Sequence, residues 1–208
     1  MAGLRERQKA DRERRILGAA AALFREHGFE AARIEDIAER AELAPGTVYN
    51  YFETKGDILV AIVSLEVEEI LGIGARMIDE DAPSLEDAVA RLIALYYDHS
   101  LVYLNKEMWR AAMALSIRNP GSRFGQRYAE LDRRLSAQVC ALVRSLQRRG
   151  MARPGLDADA VGQMIFNNLN MMFIEFVRDD AMSLDALKAA VGAQNAPLAR
   201  LIAARQAA

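Results

Sequence analysis

The chain has 208 residues, 52% of them hydrophobic, which is enough for one large domain or a small one joined to a larger one. A formal net charge of −2 excludes capture of polyanions by bulk charge, so any nucleic-acid contact has to come from local arrangement. A single cysteine, Cys140, excludes an internal disulfide. No stretch of about 18 apolar residues marks a membrane span, and the first fifteen residues lack the apolar core of a signal peptide. A cytoplasmic location is expected, with Cys140 a small core residue or, alternatively, a redox sensor.

Ala, Leu, Glu and Arg dominate, and no alternating β-branched run reads as a strand. A first helix is predicted from about Asp11 to His27, with Ile16, Leu17, Ala20, Leu23 and Phe24 on one face and Gly28 ending it. Short helices follow over Ile34–Ala41 and Pro45–Tyr51, the second opened by a proline whose missing N–H costs nothing there. A long helix is predicted over Lys55–Met77. Ser84 and Asp87 form a capping box for Leu85–Tyr103, and Asn119-Pro120-Gly121 stops Lys106–Arg118. Ser122–Arg149 carries Phe124, Tyr128, Leu131, Leu135, Val139, Leu142 and Leu146 on one face and is closed by Gly150. Asp157–Arg178 and Leu184 to about Arg205 complete nine helices, with Pro197 expected to bend or interrupt the last near Gly192 to Asn195.

The chemistry concentrates in residues 34 to 52. Ile34, Ile37, Ala38 and Ala41 line one face of a two-turn helix, Leu43 plugs the turn, and Val48 faces inward on the next helix. Ala38 is small where the two helices would cross. That is the helix-turn-helix arrangement, although a plain helical hairpin shares the spacing. The outward residues favour the former. Pro45, Gly46, Thr47, Tyr49 and Asn50 would enter the major groove, with hydroxyls of Thr47 and Tyr49 suited to phosphate and the Asn50 amide suited to an adenine edge. Lys55 offers a further phosphate contact.

Residues 16 to 60, above all the run GTVYNYFETKGDIL, resemble the TetR family of bacterial transcriptional regulators. The resemblance implies an all-α, nine-helix protomer: a DNA-binding helix-turn-helix domain over 1–54 and a ligand-binding and dimerisation domain over 55–208. It implies a homodimer on a double-stranded DNA operator, with a small-molecule effector weakening DNA binding. Thr47, Tyr49 and Lys55 would contact phosphate, and Pro45, Gly46 and Asn50 would face the groove. Three positions depart from the family pattern. Arg33 replaces a capping Thr or Ser, yet can still reach a phosphate. Glu42 stands where Gly is usual, at a strain of ~1 kcal/mol if the backbone there is left-handed. Ala44 lacks the capping hydroxyl.

Residues 1 to 60 hold ten Lys/Arg against eleven Asp/Glu, so the head is nearly neutral. Arg5, Arg7, Lys9, Arg12, Arg14 and Arg15 form a basic arm that either follows the DNA backbone or is a frayed, solvated helix start.

In the body, the helix over 157–178 is apolar nearly all round, which calls for a partner on its second side; a two-fold related copy is the simplest. Leu187, Val191, Leu198, Leu201 and Ile202 fit the same interface. Asn167, Asn168 and Asn170 interrupt the apolar helix and serve either the dimer or a cavity. Tyr96, His99, Tyr103, Trp109, Met113, Phe166, Asn170 and Phe173 are the candidates for an effector pocket, whose aromatic walls suit an apolar or aromatic molecule. No nucleophile–base pair, glycine-rich phosphate loop or metal motif is present, so neither catalysis nor a cofactor is expected. The leading expectation is a ligand-responsive regulator, usually a repressor. The alternatives are an enzyme with a helical body, which turnover of a bound small molecule would reveal, and a helical protein-interaction module, separable by mutating Tyr49 and Lys55.

Overall fold

The computed structural model describes residues 2–204. Among these the chain forms nine α-helices: α1 (Ala2–His27), α2 (Ile34–Arg40), α3 (Pro45–Tyr49), α4 (Lys55–Met77), α5 (Leu85–His99), α6 (Lys106–Arg118), α7 (Arg123–Arg148), α8 (Ala158–Arg178) and α9 (Leu184–Ile202). The one extended pairing among the described residues is an isolated bridge between Ala152 and Ala203. There the Arg153 N–H donates to the Ile202 carbonyl at 3.0 Å, and the Ala204 N–H donates to that of Met151 at 2.8 Å.

The ends of the helices follow local chemistry. Gly28 and Gly150 adopt φ +83° and +74°, as expected of residues that end a helix. Ser84 accepts from the Asp87 N–H at 3.0 Å, and Asn105, Asp157 and Ser183 cap α6, α8 and α9 in the same way. Several predicted bounds move. α1 begins at Ala2 rather than Asp11, so the basic arm is helical. α5 stops at His99 rather than Tyr103, because the Ser100 hydroxyl takes the Tyr97 carbonyl at 2.7 Å and competes with the helical bond. α9 runs through Pro197 without a break. The carbonyl that Pro197 leaves without its helical donor belongs to Ala193, an exposed residue that water can reach.

The chain divides into two compact units, residues 1–65 with 103–129, and residues 66–102 with 130–208. In the first, Ile16, Phe24, Ile37, Ala38, Val48 and Ile58 are fully buried, and Phe24 meets Phe29 edge-on at 5.2 Å. α6 belongs to this unit because Glu107 accepts from the Phe29 N–H and the Tyr103 carbonyl accepts from Arg25. In the second, Tyr97, Leu131, Leu146, Phe176 and Leu187 are fully buried. α7 and α8 approach so closely at Gly162 that a side chain there would meet the Cα of Cys140 at 2.5 Å. Cys140 is buried, and its thiol pKa is raised, first by that burial and then by Asp159, which favours the thiol over the thiolate.

Burial also pushes the Asp132 carboxyl on α7 up to about 6. Its folded pKa lies above the usual Asp value, so its contribution to stability is full below about pH 4 and is lost as pH rises through 6. Asp132→Asn is therefore expected to raise stability at pH 8 by on the order of 1 kcal/mol, with the gain vanishing at pH 4. Thermal melts at the two pH values check this; a gain of equal size at both would show that the carboxylate charge is not the cause.

Candidate nucleic-acid interface

The recognition element is built by the turn between α2 and α3. The Leu43 N–H donates to the Ala38 carbonyl at 2.9 Å and the Glu42 N–H to that of Glu39 at 2.9 Å, the paired bonds of a Schellman closure. This closure requires a left-handed residue between them, and Glu42 sits at φ +53°, the one non-glycine residue with positive φ among those described. The strain foreseen for a side chain at this position is real. Its offset comes from a distant residue: Arg15 on α1 donates to the Ala41 carbonyl at 2.5 Å and the Glu42 carbonyl at 3.3 Å, and meets the Glu42 carboxylate at 3.2 Å. Arg15 thus acts as an external cap on α2, a role that its position in a run of basic residues concealed.

Neither short helix is capped at its start by a side chain. Arg33 and Ala44 both have extended backbones suited to a capping position, yet neither makes the capping bond. Ala38 and Val48 are fully buried at the crossing, where Ala38 permits close approach. α3 ends at Tyr49 rather than Tyr51, and Asn50 lies in the turn that follows, its N–H shared between the Gly46 and Thr47 carbonyls.

The side chains singled out from the sequence divide sharply by exposure. Arg33, Pro45, Gly46, Tyr49 and Asn50 are exposed, and Thr47 and Lys55 half-buried. Tyr49 is 48% exposed, large for an aromatic residue, and its hydroxyl reaches Glu35 at 3.4 Å. Arg33 lies 3.8 Å from the same carboxylate. Lys55 is more constrained. Its ammonium donates to the Phe29 and Glu30 carbonyls at 2.9 and 2.8 Å and lies 5.0 Å above the Phe29 ring, so it ties the loop after α1 to the start of α4. Arg40 is held in a bidentate pair by Glu26, which lowers the Glu26 pKa. Arg5, Arg7, Lys9, Arg12 and Arg14 remain exposed along the first turns of α1.

The tetR family of bacterial regulatory proteins matches residues 16–62, the segment that contains this turn. The fatty acid metabolism regulator protein of Bacillus subtilis is 24% identical over 174 residues, covering 84% of this chain and 88% of that protein. The transcriptional repressor KstR of Rhodococcus jostii is 43% identical over 60 residues, 29% of this chain and 28% of that one. The structure of FadR from Bacillus subtilis in complex with stearoyl-CoA superposes with a TM-score of 0.61 at 26% identity, over 86% of this chain and 95% of that one. The chain carries a TetR-family helix-turn-helix segment over residues 16–62. It is a helix-turn-helix transcriptional regulator rather than an enzyme.

The body residues proposed for effector contact are divided between the two units. Tyr103, Trp109 and Met113 fall in the first unit, with Trp109 buried and the other two half-buried. Tyr96, His99, Phe166, Asn170 and Phe173 fall in the second. Tyr96 donates to the Gln138 amide oxygen at 2.8 Å, and Gln138 in turn donates to the Leu71 carbonyl at 2.8 Å, in space that Gly74 leaves open. Burial raises the pKa of Tyr96 and fixes it as a neutral donor. Phe173 stacks on Tyr97, whose hydroxyl donates to the Leu169 carbonyl. His99 stands between two carboxylates, Nδ1 at 2.6 Å from Glu66 and Nε2 at 3.3 Å from Glu69. Of the three asparagines, Asn167 accepts from Gln163, and Asn168 donates to Asn195 on α9 at 3.1 Å. Among the described residues no group of three or more His, Cys, Asp or Glu could hold a metal ion, and no helix is long and apolar enough to cross a membrane.

Replacing Glu42 by Gly relieves the left-handed strain but gives up the exposed pair with Arg15. The expected net gain is about 0.5 kcal/mol in urea unfolding. Arg15→Ala should cost about 1–2 kcal/mol, because it leaves the end of α2 without its donor. A Glu42→Gly chain less stable than the parent would refute the strain assignment.

Proposed function

We propose that this TetR-family regulator is a repressor that reads its operator as a homodimer and is released by an apolar or aromatic small molecule. The observation that carries the reading is the exposed surface of α3 and the turn after it, where Pro45, Gly46, Tyr49 and Asn50 face outward around the buried Val48. Residues 1–54 form the operator-reading part and residues 55–208 the ligand-binding and dimerisation part. Thr47, Tyr49 and Arg33 meet phosphates, Pro45 and Gly46 let the backbone approach the groove, and Asn50 reads a base edge. Lys55 spends two of its three donors on loop carbonyls and has the third for a phosphate. The helical arm from Ala2 carries exposed arginines that add affinity without sequence information.

Dimerisation is assigned to the outer faces of α8 and α9. Met164 is 58%, Met171 49% and Leu201 65% exposed in the single chain, a large apolar surface for two packed helices to present to water. The apolar effector is supported by the aromatic content of the body and by the FadR structure, which holds stearoyl-CoA. Such a molecule acts only if it binds the released state more tightly than the operator-bound one.

The test is fluorescence anisotropy with DNA from beside the chain's own gene. Specific binding is expected, weakening with salt at a modest slope, with a tenfold or greater loss in the double variant Thr47→Ala with Tyr49→Phe. Stearoyl-CoA should release the DNA where free coenzyme A does not. A folded dimer that shows no specific binding at moderate salt would sink the proposal. Separately, Met164→Lys with Met171→Lys should give a monomer in sedimentation and abolish operator binding, since each half-site alone is too weak; a stable dimer would move the interface elsewhere.

A further inference from the structure

A cavity of about 250 Å³ lies between α5 and α9, and none of the residues assigned above to the effector lines it. Its floor is apolar, made by Val89, Ile93 and Val191. It exists because the two helices face each other with small residues, among them Gly192 and Ala196 on α9, which leave the space that larger side chains would fill. At Gly192 an added Cβ would meet nothing within 4 Å.

An apolar gap alone would be a packing defect. What gives this one chemical character is Asn195, which lines it and is 92% buried, its relative exposure being 8%. The Asn195 Oδ1 accepts from Asn168 on α8, and this bond fixes the amide. Its Nδ2 is buried without a hydrogen-bond partner. A buried amide donor left unmade costs on the order of 1–3 kcal/mol, which a bound acceptor would recover. At the rim, Lys188 is held by Asp98 at 2.8 Å and Asp185 at 3.3 Å, so its charge is already matched and does not call for an anion.

The geometry points to a second small-molecule site between α5 and α9, taking a compact, mostly apolar, uncharged molecule with one hydrogen-bond acceptor directed at the Asn195 amide. The volume admits a single aromatic ring with a short substituent, since a dry cavity of about 150 Å³ already accepts benzene. On the α9 wheel, Lys188, Gly192 and Ala196 lie on the flank opposite Leu201, the exposed residue of the proposed dimer face, while Val191, expected from the sequence at that interface, is buried within the single chain and lines the cavity. The site and the proposed dimer face therefore occupy different sides of the helix. It depends on neither the operator reading nor the assigned effector.

The test compares acetophenone, a ring with a carbonyl acceptor, with α-methylstyrene, which has the same shape and no acceptor. Both are titrated into the full chain and followed by methyl NMR of Ala, Val and Leu. Saturable shifts are expected at Ala94, Val191 and Ala196, with acetophenone binding about fivefold more tightly, the worth of one modest hydrogen bond. Gly192→Leu, which fills the cavity from a position with open space, should remove the shifts. Asn195→Leu should retain binding but equalise the two probes. The proposal is overturned by equal affinities in the parent chain, by shifts centred on Leu169 instead, by shifts that never saturate, or by binding that survives Gly192→Leu.

Discussion

The operator-reading surface depends on one backbone conformation, the left-handed residue between α2 and α3. Two helices of seven and five residues are too short to hold their own geometry, so their relative angle is set by how the turn closes and by what packs beneath it. The closure puts Glu42 at φ +53° and turns the Leu43 N–H back onto the Ala38 carbonyl. Arg15, arriving from α1, satisfies the carbonyls at the end of α2 and pairs with the very side chain that carries the strain. The cost of a non-glycine residue is thus met by a contact between elements distant in sequence, so the turn and the packing of α1 stand or fall together.

That coupling explains how a nearly neutral head can present a DNA-binding face. Several of its cations are already committed to structure: Arg15 to the turn, Arg40 to Glu26, Lys55 to the loop after α1. They orient the outward residues of α3 rather than adding a diffuse field. Exposed cations remain on the first turns of α1, and under the proposed reading selectivity rests on the short, partly polar surface around Tyr49 and Asn50. A head organised this way gives up long-range steering in exchange for position, since screened charges far from the groove contribute little at physiological ionic strength.

Most of the fold was legible in the sequence because its signals are local. Gly28, Gly150, Ser84 and Pro45 act on their immediate neighbours, and the apolar stripe of α1 needs only helical spacing. The bounds of α4 and α6 agreed to the residue for that reason. The departures arise where a side chain competes with the backbone or solvent replaces a partner. Ser100 shortened α5, and exposure at Ala193 let α9 pass Pro197. The turn at Glu42 was readable as a conditional, but its resolution by Arg15 was not, because 27 residues of chain separate the two. The body was least legible. Tyr96 and His99 are each engaged by a polar side chain from another helix, Gln138 or Glu66, which no periodicity announces.

The same distinction separates the two kinds of space in the second unit. Around Tyr96 and Tyr97 the two buried hydroxyls and the Gln138 amide are met by other parts of the chain, so polarity there serves to fix one packing arrangement. Between α5 and α9 the balance is different: small residues leave space unfilled, and an amide is buried with one end unmet. A chain under selection for stability alone would close such a gap with a single larger side chain at Gly192, where the backbone has room and a helix-interior glycine is already unfavourable. Keeping glycine beside an unsatisfied donor costs stability twice over, and a ligand that fills the gap and accepts from the amide removes both costs at once.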